Sequence, residues 1–215
     1  MNPTGRPRVL IADDHALIAE ALSKLLFASF DVVATVHDGR SLIREGQRLK
    51  PDVILADIGL PLLNGLDAVC QFKRLVPEAK VVYVTVNHDP DLVSEAFRRG
   101  ASAYLLKTAA ASELVTAIHL ALKGEVYVSS LLRADLANVP APTRGATPSA
   151  SELTDRQVEV LQLLAEGKSM KEAAAVLNLT TRTVAFHKYR IMANLQLRND
   201  ADLVRYAMQH HLVFD

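Results

Sequence analysis

Between Arg8 and Gly124 the sequence alternates two hydrophobic patterns. Val9-Leu10-Ile11, Val32-Val33-Ala34, Val53-Ile54-Leu55 and Val81-Val82-Tyr83-Val84 are short, continuous and rich in β-branched residues, the pattern of strands buried on both faces. Ala103-Tyr104-Leu105-Leu106 is a weaker fifth run. Between the runs, apolar residues recur at helical spacing. Leu17, Ala21, Leu22, Leu25 and Leu26 form one such stripe, and Leu114, Ile118, Ala121 and Leu122 form another. Asp89 is positioned to cap a helix that has Pro90 at its first residue and Gly100 just past its end. Five strands alternating with five helices predict an α/β unit, a doubly wound five-stranded parallel sheet covered on both faces. In such sheets a site lies beyond the C-terminal ends of the strands.

The pattern then changes. Pro140, Pro142, Gly145 and Pro148, interspersed with Ser, Thr and Ala, have linker composition, with a short helix expected near Leu131–Leu136. From Leu153 onward only helical periodicity remains. Thr154 and Gln157 form a capping-box pattern ahead of Val158, Leu161, Leu164 and Ala165, with Gly167 ending the helix. A short helix follows near Lys171–Leu177, then a turn at Asn178 and Thr180 and a third helix over 181–195. A fourth begins at Asn199 and carries Leu203, Ala207 and His210. The expected division is 1–125 for the α/β domain, 126–151 for the linker and 152–215 for an all-α four-helix domain.

Composition adds limits. The 215 residues carry 24 Lys plus Arg against 24 Asp plus Glu, so no overall field announces a polyanionic partner. One cysteine, Cys70, precludes an internal disulfide. No stretch approaches the roughly 20 apolar residues that a membrane span requires. Pro3, Gly5 and Pro7 interrupt any signal-peptide pattern, so the expected location is cytoplasmic, with no membrane partner.

Polar residues end the predicted strands: Asp13 and Asp14 after the first, Asp57 after the third, Thr85 at the fourth, Lys107 after the fifth. Taken singly each is ordinary, since a strand-end aspartate commonly caps a helix and a loop lysine is commonly solvated. Parallel strand order, however, brings all five to one edge. Three carboxylates gathered there repel one another unless a cation intervenes, and oxygen ligands select a hard ion such as Mg2+. A carboxylate so placed can attack phosphorus, with metal and lysine neutralising the transferring oxygens.

These residues carry a resemblance. Ile11-Ala12-Asp13-Asp14-His15, Asp57-Ile58-Gly59-Leu60-Pro61 with Gly65, Thr85, and Tyr104-Leu105-Leu106-Lys107 resemble the flavodoxin-like receiver domain of two-component response regulators. The resemblance implies that Asp57 accepts the phosphoryl group from a sensor histidine kinase. It implies that Asp13, Asp14, Asp57 and the Gly59 carbonyl bind Mg2+, that Lys107 bridges to the phosphoryl group, and that Thr85 and Tyr104 form the switch. Gly59 and Thr108 depart from the family pattern, and Thr108, where many receivers have proline, leaves the isomer of the Lys107–Thr108 bond open.

The C-terminal region has eight basic and eight acidic residues from Glu152 to Asp215, but no acidic residue between Ala173 and Asn199. At about 100° per residue, Val184, Ile191 and Leu195 of the third helix share a core stripe. Arg182, Phe186, Tyr189 and Ala193 face the other way, flanked by Ala185 and Arg190, while Lys188 lies near the core stripe. A charge run is usually just a solvated face. Two outward aromatics beside arginines, however, suit a major groove. Leu153–Leu161, Leu164–Ser169, Thr183–His187 and Asp202–Ala207 resemble the LuxR-type helix-turn-helix domain. Joined to a receiver, it forms the NarL/FixJ arrangement. The implied contacts to double-stranded DNA come from Arg182, Thr183, Ala185, Phe186, Lys188, Tyr189 and Arg190. Leu203, Tyr206 and Ala207 of the fourth helix are implied in a homodimer of the active form. Ala185 and Met170 depart from the residues frequent in that family. The expected function is therefore phosphorylation-controlled dimerisation and DNA binding rather than metabolic catalysis. A small-molecule phosphohydrolase needs a substrate pocket and usually a cap insertion, for which the compact first half leaves no room. A regulator independent of phosphorylation does not need the intact Asp14, Asp57, Thr85 and Lys107 set.

Overall fold

A computed structural model describes residues 5–132 and 153–214. These residues form two compact units, one of sheet and helices and one of helices alone. In the first, strands β1 (Arg8–Ala12), β2 (Asp31–Val36), β3 (Val53–Ala56), β4 (Lys80–Thr85), β5 (Ala103–Leu106) and β6 (Tyr127–Val128) pair in the order β2-β1-β3-β4-β5-β6. Every pairing is parallel.

Helices α1 (Ala16–Leu26), α2 (Gly39–Leu49), α3 (Gly65–Leu75), α4 (Pro90–Arg98) and α5 (Ala110–Lys123) connect the strands. The alternating side chains of the sheet fill two apolar layers. Val9, Ile11, Val53, Leu55, Val82, Val84 and Leu105 pack with Ala19, Leu22, Leu26, Leu114, Ile118 and Ala121 of α1 and α5. Residues of opposite parity, Leu10, Ile54, Val81, Tyr83 and Tyr104, are equally buried on the other face. Each fully buried aliphatic side chain contributes roughly 1.5–3 kcal/mol relative to exposure. The α4 boundaries follow the expected code: the Asp89 side chain accepts from Asp91 N, Pro90 opens the helix, and Gly100 follows at φ +96°.

Three differences from expectation stand out. The sheet has a sixth strand, because Tyr127 and Val128 pair with Ala103 and Tyr104. Residues 126–132, expected as linker, thus include β6 and a 3-10 turn over Ser130–Leu132. The remaining expected linker and most of the helix expected near Leu131–Leu136 lie outside the described residues. Finally, α1 keeps only part of the expected stripe: Leu22 and Leu26 are buried and Leu25 packs against the core, but Leu17 is 83% exposed and Ala21 is exposed, and Ala19 is buried instead.

The second unit contains α6 (Asp155–Ala165), α7 (Met170–Leu177), α8 (Thr181–Asn194) and α9 (Asp200–Gln209). Thr154 and Gln157 complete the expected capping box on α6, and Ser169 with Glu172 forms a second on α7. The α7–α8 turn is closed by Asn178 in the left-handed region at φ +54°, a conformation asparagine tolerates well. Asn199 caps α9 by accepting from Asp202 N at 2.9 Å. Val160, Leu161, Leu163, Ala173, Leu177, Val184, Ile191, Leu203 and Ala207 make the core. Among the described residues no helix is long and apolar enough to cross a membrane.

Candidate functional site

Register brings the strand-end polar residues to one edge of the first unit. Ala12 lies opposite Ala56, so Asp13 and Asp57 leave neighbouring strands at the same level. Asp13 N donates to Val36 O at 3.0 Å and Asp57 N to Ala12 O at 2.9 Å, which fixes both backbones. Thr85 ends β4 opposite Leu106, and Lys107 N donates to Thr85 O at 2.8 Å. The Asp57 backbone is also crowded from outside. A Cβ on Gly65 would lie 2.0 Å from Asp57 O, so only glycine lets the start of α3 approach the loop this closely.

The side chains converge as the sequence predicts. Lys107 Nζ lies 2.6 Å from Asp57 Oδ2 and 2.8 Å from Asp13 Oδ2, with all three side chains buried. Burial alone would lower the Lys107 pKa, but its hydrogen bonds to and the charges of Asp13 and Asp57 hold it above the ordinary value. Two buried carboxylates against one ammonium leave excess negative charge, and the buried Asp13 Oδ2 has no aligned hydrogen bond beyond that ion pair. Ligand atoms of Asp13, Asp14, His15 and Asp57 all fall within 4.8 Å of one another. This acidic, oxygen-rich set fits a divalent cation. Gly59 N donates to Asp57 Oδ1 at 3.3 Å, placing Gly59 against the cluster.

His15 is the residue that sequence reasoning left unassigned. Its Nδ1 lies 2.8 Å from Asp14 Oδ1, and its backbone N donates to Asp13 Oδ1 at 2.9 Å. The available signal was its position directly after the two aspartates.

Thr85 and Tyr104 flank this edge on β4 and β5. Thr85 is buried, and Asn87 N donates to its Oγ1 at 3.4 Å. Tyr104 is wholly buried and its hydroxyl donates to Asn87 O at 2.9 Å. Burial, with the charges of Asp57 and Asp89, pushes its phenol well above the ordinary pKa. The Lys107–Thr108 bond is trans, as are all peptide bonds among the described residues.

In the second unit, α8 presents the face the helical wheel predicts. Val184 and Ile191 are buried, while Phe186 and Tyr189 are 56% and 64% exposed. Arg182 and Arg190 are exposed beside them; Thr183 and Ala185 are partly so. The Arg190 guanidinium sits 5.6 Å from the Phe186 ring centroid, a cation–π contact that organises both side chains. Thr180 caps the helix by accepting from Thr183 N at 3.1 Å. Lys188 departs from this face. Its side chain is 13% exposed and its Nζ lies 2.6 Å from Asp200 Oδ1, so its charge is neutralised within the unit. Of the α9 residues expected at a dimer contact, Leu203 and Ala207 lie in the unit's own core. Tyr206 is partly buried and stacks on His210, with ring centroids 4.0 Å apart.

Residues 9–119 match the response regulator receiver domain family, and residues 151–207 match the family of bacterial regulatory proteins, luxR family. The oxygen regulatory protein NreC of Staphylococcus aureus (strain JH9) is 35% identical over 214 residues, covering 96% of this chain and 99% of that one. The RcsB response regulator of Salmonella typhimurium superposes with a TM-score of 0.60 at 26% identity, covering 99% of this chain and 100% of its own. RcsB from Salmonella enterica serovar Typhimurium, bound to promoter P1flhDC in the presence of phosphomimetic BeF3-, gives a TM-score of 0.56 at 26% identity, covering 95% and 100%.

Proposed function

Because the chain belongs to the response regulators that join a receiver domain to a LuxR-family regulatory domain, we propose that Asp57 accepts a phosphoryl group from a sensor histidine kinase and that this controls binding to double-stranded DNA. The observation that carries this reading is the junction of Asp13 and Asp57 through Lys107 Nζ, at 2.8 and 2.6 Å, inside an acidic cluster. One oxygen of Asp57 attacks phosphorus; the new O–P bond forms as the P–N bond to the kinase imidazole breaks, and the imidazole retains the electron pair and takes up a proton. Asp13, Asp14, Asp57 and the Gly59 carbonyl would hold Mg2+, which would supply charge neutralisation for the phosphoryl oxygens.

The chain's own residues do the rest. Lys107, already paired with Asp57, exchanges a carboxylate oxygen for a phosphoryl oxygen at little reorganisation cost. Thr85 donates its hydroxyl to another phosphoryl oxygen. The Tyr104 ring, now held by Asn87 O, moves with Thr85 and biases the surface formed by α4, β5 and α5. Phosphorylation drives this switch only through its differential contacts in the two states. The protein's catalysis is limited to acquiring and losing its own phosphoryl group, which distinguishes it from a metabolic enzyme. A kinase donor and a DNA target support a cytoplasmic location.

Helix α8 enters the major groove with Arg182, Thr183, Ala185, Phe186, Tyr189 and Arg190. Arginine there reads guanine, and an aromatic ring contacts a thymine methyl. Two copies occupy half-sites about one helical turn apart. Their α9 contact uses the exposed stripe Ala201, Arg205 and Met208 with Tyr206, because Leu203 and Ala207 are committed to the core.

The test is incubation of the full chain with acetyl phosphate and Mg2+, followed by intact-mass analysis. The wild type gains one phosphoryl group and Asp57→Asn gains none; continued labelling of the variant moves the acceptor elsewhere.

A further inference from the structure

Glu113 is a buried carboxylate that phosphoryl transfer does not use. It lies in the first turn of α5, six residues after Lys107, and is 9% exposed. Its partners come from the segment that leaves the sheet. Ser129 Oγ donates to Oε2 at 2.8 Å, Ser130 N donates to Oε1 at 3.1 Å, and Ser130 Oγ also donates to Oε1. Burial alone would raise the Glu113 pKa, but these donors, with a further one from the Tyr127 side chain, outweigh it and hold the carboxyl below the ordinary range.

Both ends of this clamp adjoin the phosphorylation site. On one side, Ala109 N donates to Leu106 O at 2.9 Å, Ala110 N to Lys107 O at 3.4 Å and Glu113 N to Ala109 O at 3.1 Å. The first turn of α5 is therefore continuous with Lys107. On the other, Ser129 N donates to Tyr104 O at 2.9 Å, and Leu132 N to Ser129 O at 3.0 Å. The segment thus hangs on Tyr104 through its backbone and on α5 through one carboxylate. An apolar side chain would stabilise this junction as well or better, since burying a charge is expensive. A carboxylate that gathers donors from Tyr127, Ser129 and Ser130 instead imposes one geometry, and loses it when those donors move.

We propose that Glu113 is a positioning residue that carries the state of Lys107 and Tyr104 to the chain leaving the sheet at Ser129–Leu132. The proposal rests on the phosphoacceptor reading of Asp57. Lys107 sets the start of α5, Tyr104 sets the end of β6, and Glu113 registers one against the other. A shift at either end redirects the Ser130–Leu132 turn.

Hydrogen exchange of the full chain, read by mass spectrometry with and without acetyl phosphate and Mg2+, tests this directly. In the wild type, phosphorylation changes exchange in the peptide spanning 126–132 by about fivefold or more, the lower end of ordinary coupling. In Glu113→Gln the label is still incorporated, but that change disappears. A merely structural carboxylate would alter basal exchange and leave the phosphorylation-dependent change intact, a result that overturns the proposal. The double variant Ser129→Ala Ser130→Ala removes the two hydroxyl donors from the opposite side and leaves the Ser130 N–H in place; it loses the response too, and its retention also overturns the proposal. A labelled wild type with an unresponsive segment refutes the relay and spares the Asp57 reading. A wild type that takes no label refutes both.

Discussion

Lys107 is one cation between two buried carboxylates, with Asp14 and His15 at the rim. Like charges held this closely in a poorly solvated site oppose folding, and their arrangement serves chemistry at the expense of stability. Asp57→Asn leaves Lys107 and Asp13 as a one-to-one pair. It therefore raises the melting temperature by a few degrees, equivalent to ~1 kcal/mol. Calorimetry in metal-free buffer checks this, and a lowered melting temperature means that Asp57 is mainly a structural partner of Lys107. The acids and the lysine were legible in the sequence because each interrupts an apolar run at a strand end, where core packing does not call for a charge. Glu113 was not legible. A glutamate in a first helical turn is an ordinary partner for the helix dipole, and its burial depends on Ser129 and Ser130, which lie in the segment 126–151 expected as linker. Lys188 was partly legible: the wheel placed it beside Val184 and Ile191, but its partner, Asp200, stands on another helix.

The main strands and helices follow from periodicity and caps, which are local signals. The misses have nonlocal causes. On α1, packing against the sheet keeps Leu22, Leu25 and Leu26 of the expected stripe and takes Ile18 and Ala19 in place of Leu17 and Ala21. Strand β6 is two residues long and acquires its identity from pairing with β5. The face of α8, by contrast, is set by its own wheel, and it yields a prediction specific to this helix. Arg190→Ala removes an exposed cation and lowers the slope of log affinity against log salt by about one if the guanidinium neutralises a phosphate. Lys188→Met leaves that slope unchanged, because Asp200 already neutralises the ammonium. DNA titrations at several salt concentrations distinguish the two, and a reduced slope in Lys188→Met shows that the lysine leaves Asp200 for the phosphate backbone.

Across the full chain, positive and negative residues balance, so DNA affinity depends on a local concentration of charge and aromatic surface rather than on a general field. Receiver and helix-turn-helix domains each have their own core and their own site. The proposed function requires a free-energy coupling between Asp57 and α8, which must act equally in both directions. The decisive measurement is the affinity of the full chain for a duplex recovered by selection from random DNA, before and after phosphorylation with acetyl phosphate and Mg2+. Affinity rises by about fivefold or more on phosphorylation, and the rise is absent in Asp57→Asn. Equal affinities for the phosphorylated and unphosphorylated wild type, with the phosphoryl group verified on Asp57, would contradict a phosphoryl switch that controls DNA binding.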